Sequence, residues 1–397
     1  MEKVYLRPRR EDSILRFHPW VFSGAIAQIT GDPAEGDLVG VYSSDGQFLA
    51  TGHYQIGSIA VRILSFDEDP TAPDFWERMV RRAFQVRVAC GLHGSESTTC
   101  YRLVHGEGDG LPGLIIDYYD GVCVLQAHSV GMFKAKNAIC EALKAVYGDA
   151  LKAVYDKSSG TAPFKAGLDL VDGYLYQAPG FDTDECVVLE NGNKFHVNWN
   201  EGQKTGFFLD QRENRAAVGR LARGRNVLNL FCYTGGFSIY ALNGGAVHVD
   251  SVDSSRKAMD MVDRNVALNG FTPEQHTSYC ADAIEFLRDV PEGKYDLMIV
   301  DPPAFAKHRG ALKNALRAYQ RLNAAAIAKV APGGFVFTFS CSQVVDKEAF
   351  ALAVFSAAAQ TGRSVRILDR LNQPADHAVN IYHPEGAYLK GLLLYVE

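Results

Sequence analysis

The chain has 397 residues, of which 47% are hydrophobic and 22% are charged, and its formal net charge at pH 7 is −6. This length predicts two or three domains. The negative charge argues against a protein that coats nucleic acid through its overall charge, although it is compatible with local basic faces. Because no apolar run approaches about 18 residues, no membrane span is expected.

The N-terminal segment and the cysteines indicate the cellular compartment of the protein and whether it binds a metal ion. Residues 1–7 lack the apolar core of a secretory signal peptide. The eight cysteines form no CxxC pair, so the sequence favours neither a zinc cage nor a secreted disulfide framework. We therefore expect a cytoplasmic protein with reduced thiols, without a metal ion and without a membrane partner.

Residues 1–72 are expected to form a small β-rich unit, because short apolar runs such as Val39–Tyr42 and Ile59–Leu64 are separated by Gly, Asp and Ser turns. Basic residues cluster next to aromatic residues at its start. They are Lys3, Arg7, Arg9, Arg10 and Arg16, followed by Phe17, His18, Trp20 and Phe22. This mixture suits RNA, which offers phosphates and stackable bases. An equally simple alternative places the aromatics in a small core and the arginines in solvent.

Residues 73–195 are predicted to form an α+β unit. Its predicted elements are helices at Phe75–Val88 and Met132–Tyr147 and strands at Leu114–Tyr119 and Val122–Ala127. Asn191-Gly192 predicts a hairpin, since this pair readily adopts the two positive φ angles of a type I′ turn. Nothing in this unit indicates a catalytic centre.

From residue 196 onward strands alternate with helices, which predicts a mostly parallel sheet. A strand at Val227–Leu230 is followed by a turn with Gly235 and Gly236, and a second strand ends on Asp253. An acidic residue about 20 positions after a glycine turn suits a ribose. Since the turn is not GxGxxG, a dinucleotide is not specifically indicated. A tight turn without a ligand is the alternative.

Three further strands, at 278–281, 296–300 and 334–339, are each followed by a polar residue, namely Asp282, Asp301 and Ser340. Ligands of open α/β sheets bind outside the carboxyl ends of the strands. We therefore expect these residues to line one crevice with Asp253. For Asp282 the alternative is a helix N-cap.

Asp301-Pro302-Pro303-Ala304-Phe305 is the sharpest motif of this region. The two prolines end the strand and stiffen the loop, because proline fixes φ and restricts its predecessor. A rigid loop of this kind holds a planar base against an acceptor, with Phe305 available for stacking. The pattern is typical of enzymes that methylate amino groups or ring carbons of bases, and a simple strand-ending turn is the alternative.

Residues 306–330 are rich in basic residues and contain no acid. The basic residues are Lys307, Arg309, Lys313, Arg317, Arg321 and Lys329. Lys313, Arg317 and Arg321 are four apart and form one stripe on a helix. Such a stripe suits phosphates, whereas a solvated helix face is the alternative.

Cys341 lies between Ser340 and Ser342 at the end of a predicted strand. A thiolate that adds to C6 of a pyrimidine turns the ring into an enamine whose C5 attacks a methyl donor. Cysteine suits this role because positive charge readily stabilises its thiolate. A buried inert cysteine is the alternative, and Cys232 is interpreted as structural.

Taken together, these motifs resemble the bacterial ribosomal RNA large subunit methyltransferase I family, whose members form 5-methylcytosine in 23S rRNA with S-adenosylmethionine (SAM). The stretches that carry the resemblance extend along nearly the whole chain. They are His18–Gly24, Gly106–Gly113, Lys204–Arg212, Tyr233–Phe237, Asp301–Phe305, Thr338–Ser342 and Pro384–Gly391.

The resemblance implies a multidomain protein: a PUA-like β-barrel at 1–72, a central α+β domain at 73–195, and a Rossmann-like class I SAM-dependent methyltransferase domain at 196–397. It assigns catalysis to Cys341 and Asp301. The implied SAM-binding residues are Phe231, Tyr233, Gly235, Asp253, Asp282, Asp301, Gln211 and Arg212. The implied contacts to 23S rRNA are Pro302, Pro303, Phe305, Lys313, Arg317, Arg321, Arg7, Arg10 and Lys390. A homodimer is left open.

Three rival functions differ in what they require of these residues. Methylation of an amino group or ring nitrogen of guanine needs the Asp-Pro-Pro loop but no cysteine. An RNA-binding protein without activity needs neither SAM nor Cys341. A dinucleotide oxidoreductase is the most distant rival, because the chain has no GxGxxG motif and Cys341 would have no role.

Overall fold

The computed structural model describes residues 1–163, 167–306 and 308–397, so Lys307 of the basic run lies outside the described residues. The chain divides into two compact units. The first comprises Met1–Val188, Val197–Leu209 and Ala375–Gly386; the second comprises Leu189–His196, Asp210–Pro374 and Ala387–Glu397. The domain boundaries expected after residues 72 and 195 stay predictions.

The first unit begins with a six-stranded sheet and a short helix. Its elements are β1 (Glu2–Leu6), α1 (Asp12–Leu15), β2 (Trp20–Phe22), β3 (Ile26–Ile29), β4 (Leu38–Tyr42), β5 (Phe48–Tyr54) and β6 (Ile59–Ser65). The strand order is β2-β6-β5-β4-β1-β3. The β1–β4 pair is parallel, whereas the β5–β6 pair is antiparallel. Val4, Val39, Val41 and Val61 are fully buried and form the centre of its core.

A five-stranded sheet with three helices follows in the same unit. Its elements are α2 (Phe75–Ala89), β7 (Cys100–His105), β8 (Leu114–Tyr119), β9 (Val122–Ala127), α3 (Val130–Lys134), α4 (Lys136–Tyr147), β10 (Ala153–Asp156) and β11 (Gly173–Gln177). The strand order is β11-β10-β9-β8-β7. The single helix predicted at Met132–Tyr147 is therefore two helices, which meet at Ala135. Ser129 caps the first of them by accepting a hydrogen bond from the Met132 N–H at 3.3 Å.

Asn191 and Gly192 connect the strands β12 (Glu185–Glu190) and β13 (Asn193–Asn198), which form a two-stranded sheet. Asn191 has φ 49° and Gly192 has φ 81°. Two consecutive positive φ angles are what a type I′ turn requires. The hairpin prediction is confirmed.

The second unit contains a seven-stranded sheet between helices. Its elements are α5 (Arg212–Leu221), β14 (Asn226–Leu230), α6 (Gly236–Asn243), β15 (His248–Asp253), α7 (Arg256–Leu268), β16 (His276–Cys280), α8 (Ala283–Asp289), β17 (Leu297–Val300), α9 (Leu312–Lys329), β18 (Gly334–Ser340), α10 (Lys347–Thr361), β19 (Val365–Asn372) and β20 (Lys390–Val396). The strand order is β16-β15-β14-β17-β18-β20-β19.

The five strands from β14 to β18 pair in parallel, as the alternation of strands and helices predicts. The β20 strand is antiparallel to both β18 and β19. Leu228 and Leu230 of β14 are fully buried, and they belong to a core that also contains side chains of α9 and α10. Each fully buried leucine contributes roughly 1.5–3 kcal/mol. This core fixes the sheet that carries the residues described below.

Candidate functional site

The register of the parallel strands places their last residues along one edge of the second unit. Leu230 is paired with Val252 and with Val300, which align β14, β15 and β17. Val300 is in turn paired with Thr338 of β18. Neighbouring strands lie about 4.8 Å apart. The residues that follow these strands, including Asp301 and Cys341, therefore lie at the same edge of the sheet.

The turn after β14 has an unusual backbone. Phe231 has φ 57°, Tyr233 has φ 47° and Gly235 has φ 81°, so three of five consecutive residues are left-handed. Left-handed non-glycine residues cost about 1–3 kcal/mol each and are concentrated at binding and catalytic sites. A Cβ atom on Gly235 would lie 3.1 Å from Cγ1 of Val262. Both the φ angle and the packing against α7 therefore favour glycine at 235.

The Asp253 carboxylate is fixed by two backbone donors. Its Oδ2 accepts a hydrogen bond from the Tyr233 N–H at 3.0 Å, and its Oδ1 accepts one from the Ser255 N–H at 2.9 Å. A carboxylate has about four lone-pair sites, so two bonds leave it capacity for a diol. The end of β15 thus presents an oriented acceptor next to the strained turn.

Asp282 acts as the N-cap of α8. Its Oδ1 accepts hydrogen bonds from the N–H groups of Ile284 at 2.9 Å and Glu285 at 3.0 Å. The N-cap alternative for this residue is therefore observed. Both bonds use the same oxygen and the side chain is exposed, so a role in ligand binding stays a prediction.

The Asp301 carboxylate is hydrogen-bonded to a series of two side-chain amides. Gln211 donates from Nε2 to Oδ2 of Asp301 at 3.0 Å, and its Oε1 accepts a bond from Nδ2 of Asn214 at 2.6 Å. Asn214 also donates to the backbone carbonyl of Asn372 at 3.2 Å. Gln211 and its neighbour Arg212 are buried. This series fixes which end of the Gln211 amide faces Asp301, and thereby orients the carboxylate.

The Phe305 ring does not stand free at the end of the Asp301–Phe305 loop. Its centroid lies 4.8 Å from that of Tyr319, at an interplanar angle of 52°. The ring therefore packs against Tyr319 of α9, and its stacking on a base stays a prediction. Pro302 is buried and Pro303 is exposed, and their contact with RNA stays a prediction.

Cys341 follows β18 and is half-buried, whereas Cys232 is buried. The serines on both sides of Cys341 are fixed by Tyr319. Ser340 Oγ donates to the Tyr319 hydroxyl at 2.9 Å, and that hydroxyl lies 3.1 Å from Ser342 Oγ. The Ala306 N–H also donates to Ser342 Oγ at 3.4 Å. The segment around Cys341 is thus tied to the loop that begins at Asp301.

Sequence reasoning missed Tyr319. It lies on the buried face of α9, opposite the exposed Lys313, Arg317 and Arg321. Burial raises the pKa of its hydroxyl, and the bonds to Ser340 and Ser342 oppose that shift. The feature of the sequence that indicates this role is a tyrosine on the apolar face of a predicted helix, because a buried tyrosine hydroxyl needs a hydrogen-bond partner.

Lys390 does not fit the expected role as an RNA contact. Its side chain is 4% exposed, and Nζ donates to the carbonyl oxygens of Ser342 and Val345, at 2.6 Å each. Burial lowers the pKa of its ammonium group to about 8, and the neighbouring Cys341, which is negative when ionised, opposes that shift. The ammonium faces the Cys341 segment and is not exposed to a phosphate backbone.

The remaining predicted RNA contacts are exposed basic side chains. Lys313, Arg317 and Arg321 lie on the outer face of α9, as the spacing of four predicts. In the first unit Arg7 and Arg10 are exposed, and Arg7 Nε donates to the Ile26 carbonyl at 3.0 Å. Their binding to RNA stays a prediction.

One cluster in the first unit has residue types that bind metals, namely His18, His383 and Glu385. Nδ1 of His18 accepts a hydrogen bond from the Trp20 N–H at 3.2 Å. In neutral His18 the proton therefore resides on Nε2, which faces Glu385 at 3.6 Å and has no lone pair for a metal. The expectation of no metal ion stays a prediction.

Within residues 1–163, 167–306 and 308–397, every helix is too short or too polar to cross a membrane.

Comparison with known proteins identifies the families that two parts of the chain match. A family model of S-adenosylmethionine-dependent methyltransferases matches residues 102–394, and a model of PUA-like domains matches residues 4–66. The structure of SMU.776 in complex with SAH covers 100% of both chains with a TM-score of 0.85 at 23% identity, which shows the fold. The predicted PUA-like N-terminal domain and Rossmann-like methyltransferase domain are confirmed.

Curated relatives match over nearly the full length. Ribosomal RNA large subunit methyltransferase I of Aeromonas hydrophila subsp. hydrophila is 40% identical over 397 residues, which cover 98% of each chain. The protein of the same name from Shewanella amazonensis is 40% identical over 396 residues, again with 98% coverage of each. The chain is thus a SAM-dependent methyltransferase and belongs to the ribosomal RNA large subunit methyltransferase I family.

Proposed function

We propose that this methyltransferase forms 5-methylcytosine in 23S rRNA, with Cys341 as the nucleophile. The observation that carries the proposal is the half-buried Cys341 at the carboxyl edge of the sheet, next to the Asp301 loop. A guanine methyltransferase has no use for a thiol at this place. The names of the curated relatives support ribosomal RNA as the substrate class.

The residues at the carboxyl edge fit SAM. Asp253 offers the ribose diol a carboxylate oriented by two N–H groups. Gly235 and Gly236 at the end of this turn have no side chain, which lets a ligand approach the backbone there. The residues proposed to hold SAM are Phe231, Tyr233, Gly235, Asp253, Asp282, Asp301, Gln211 and Arg212. When bound, SAM supplies the electrophilic methyl group.

The protein's own part of the reaction begins with the thiolate. The target cytidine leaves its stack to enter the site, and the Cys341 sulfur forms a bond to C6. The C5–C6 π electrons form a C4–C5 double bond and the C4–N3 π electrons move to N3, while Asp301 bonds the N3/N4 edge and favours a proton on N3. The resulting enamine carbon C5 takes the methyl group. Loss of the C5 proton then re-forms the double bond and expels the Cys341 sulfur as thiolate.

The chain of Asn214, Gln211 and Asp301 supports this sequence of steps. Asp301 acts on the ring only if its carboxylate keeps one orientation while the base enters. Gln211 provides that orientation through its bond of 3.0 Å. Preorganised groups of this kind need not be rearranged during the reaction.

Bisulfite sequencing of 23S rRNA from cells with and without the gene tests the product. A second test uses RNA in which cytidine is replaced by 5-fluorocytidine, because fluorine at C5 cannot leave as a proton. The covalent adduct then persists and is detected by mass spectrometry at the Cys341 peptide. Cys341→Ala is expected to abolish adduct and product. Cys90→Ala, at an exposed cysteine, is the matched control.

Wild-type levels of 5-methylcytosine with Cys341→Ala would overturn the nucleophile assignment. Methylated guanine without 5-methylcytosine, found by mass spectrometry of the nucleosides, would favour the guanine rival. Undetectable SAM binding at equilibrium would favour an RNA-binding protein without activity. A homodimer stays a prediction, which sedimentation of the full chain tests.

A further inference from the structure

Lys390 lies directly opposite the segment that carries Cys341. It is the first residue of β20, and the antiparallel register pairs it with Ser340, the last residue of β18. The lysine side chain therefore points toward the segment that follows β18 and begins with Cys341.

Two short hydrogen bonds hold the ammonium in that place. Nζ donates to the Ser342 carbonyl and the Val345 carbonyl, at 2.6 Å each. The two carbonyls belong to the segment between β18 and α10, so the bonds close that segment into a turn. Only 4% of the lysine is exposed. A buried ammonium is costly unless charge or hydrogen bonds compensate it.

The two carbonyls are neutral and leave the positive charge in place. The charged or titratable neighbours that act on Lys390 are Cys341, Asp346 and Lys347, with Cys341 the strongest of them. Asp346 caps α10 by accepting a bond from the Ala349 N–H at 2.7 Å. Because Cys341 directly precedes Ser342, whose carbonyl accepts a bond from Nζ, this charge would stabilise an ionised Cys341 sulfur.

We propose that Lys390 is a positioning residue for Cys341: it closes the 342–345 turn and holds a positive charge beside the sulfur, so that Cys341 reacts as a thiolate. The inference rests on the proposed role of Cys341 as nucleophile. It also explains why a lysine, and not an apolar residue, begins a buried strand at this edge.

Tyr319 holds the same segment in place without a charge and therefore serves as the comparison for Lys390. Its hydroxyl contacts both Ser340 and Ser342, and so fixes the same segment from α9 without adding charge. Tyr319→Phe thus removes a positional restraint only, whereas Lys390→Met removes a restraint and a charge. The pair separates the two effects.

The experiment measures alkylation of Cys341 by iodoacetamide as a function of pH, resolved by mass spectrometry of the Cys341 peptide. Lys390→Met is expected to move the half-maximal pH upward by about one unit, which slows alkylation at pH 7 roughly tenfold. Lys390→Arg keeps a charge and is expected to keep the midpoint near that of the wild type. Tyr319→Phe is expected to leave the midpoint unchanged.

An unchanged midpoint in Lys390→Met would overturn the inference, as would an equal upward shift in Tyr319→Phe. SAM binding at equilibrium serves as the folding control for each variant. If Lys390→Met does not fold, the wild type alone is decisive: a half-maximal pH below the ordinary thiol value of about 8.5 is expected, and a midpoint at or above it refutes the inference.

This readout is independent of methylation. If Cys341→Ala still forms 5-methylcytosine while Lys390→Met shifts the midpoint, the proposed function fails and the charge effect stands. If Cys341→Ala abolishes the product while Lys390→Met leaves the midpoint unchanged, the nucleophile stands and the role of Lys390 fails.

Discussion

The side-chain amide of Gln211 donates a hydrogen bond of 3.0 Å to Oδ2 of Asp301, although 90 positions separate the two residues. The amide is itself held by Asn214, at 2.6 Å. The acidic residue of the Asp-Pro-Pro loop is therefore oriented by a residue that precedes the first strand of the sheet.

Gln211→Ala is expected to lower kcat/KM for RNA methylation by roughly 10- to 100-fold, because a hydrogen bond to a charged group contributes about 1.5–3 kcal/mol. The measurement is steady-state methylation of a 23S rRNA transcript. Gln177→Ala, at an exposed residue of β11, should leave the rate unchanged. A Gln211→Ala enzyme with wild-type kcat/KM would show that Asp301 needs no orienting donor.

Asp253→Asn is expected to weaken SAM binding by about tenfold or more. The amide supplies one oxygen acceptor where two N–H donors and a diol compete, and it lacks the negative charge that strengthens such bonds. Isothermal titration calorimetry with SAM measures the change. Asp260→Asn, at an exposed position of α7, is the control, and equal affinities of the two variants would contradict the ribose assignment.

Two glycines with similar φ angles separate backbone strain from crowding. Gly235 has φ +81° and a Cβ there would lie 3.1 Å from Val262, whereas Gly224 has φ +70° and open space around its Cβ. Gly224→Ala is expected to lower the free energy of unfolding by about 1 kcal/mol through strain. Gly235→Ala should lower it further, by an additional ~1–3 kcal/mol for overpacking.

Urea titrations of the wild type and both glycine variants give these free energies. Gly235→Ala should also weaken SAM binding, while Gly224→Ala should not. If both alanine variants were equally stable and bound SAM equally well, the packing argument for Gly235 would be wrong.

The outer face of α9 is expected to bind phosphates. Replacing Lys313, Arg317 and Arg321 with alanine should weaken RNA binding similarly for different sequences and flatten the plot of log affinity against log salt. The slope should change by about one unit for each phosphate that the variant no longer binds. SAM binding should stay unchanged. Arg288→Ala, at an exposed residue of α8, serves as the control, and an unaltered slope in the triple variant would make the stripe an ordinary solvated surface.

Local patterns predict the parallel half of the sheet well. Val227–Leu230 is predicted as a strand because Val227, Leu228 and Leu230 form a short apolar run, and β14 indeed spans Asn226–Leu230 with its last four residues buried. Because the carboxyl ends of parallel strands share one edge of a sheet, Asp253, Asp301 and Cys341 are likewise expected, and found, at one edge. Such features depend on residues close in the chain and on a general rule of parallel sheets.

Features that depend on distant pairing are not predictable in this way. The antiparallel strand β20 inserts between β18 and β19, and no local pattern reveals that order. Lys390 is expected from the sequence to contact RNA, whereas in the structure it is buried at the position where β20 pairs with β18. The contact between Phe305 and Tyr319 is likewise not evident from local sequence, since Tyr319 lies on the next helix.

The two faces of α9 carry residues with different proposed roles. Three cations line the outer face, and Tyr319 on the inner face fixes the serines that flank Cys341. On the roles proposed above, a change that rotates or displaces this helix is expected to alter both the affinity for RNA and the position of Cys341. Engineering of the affinity for RNA should therefore change the ends of the cationic side chains and leave the helix axis where it is.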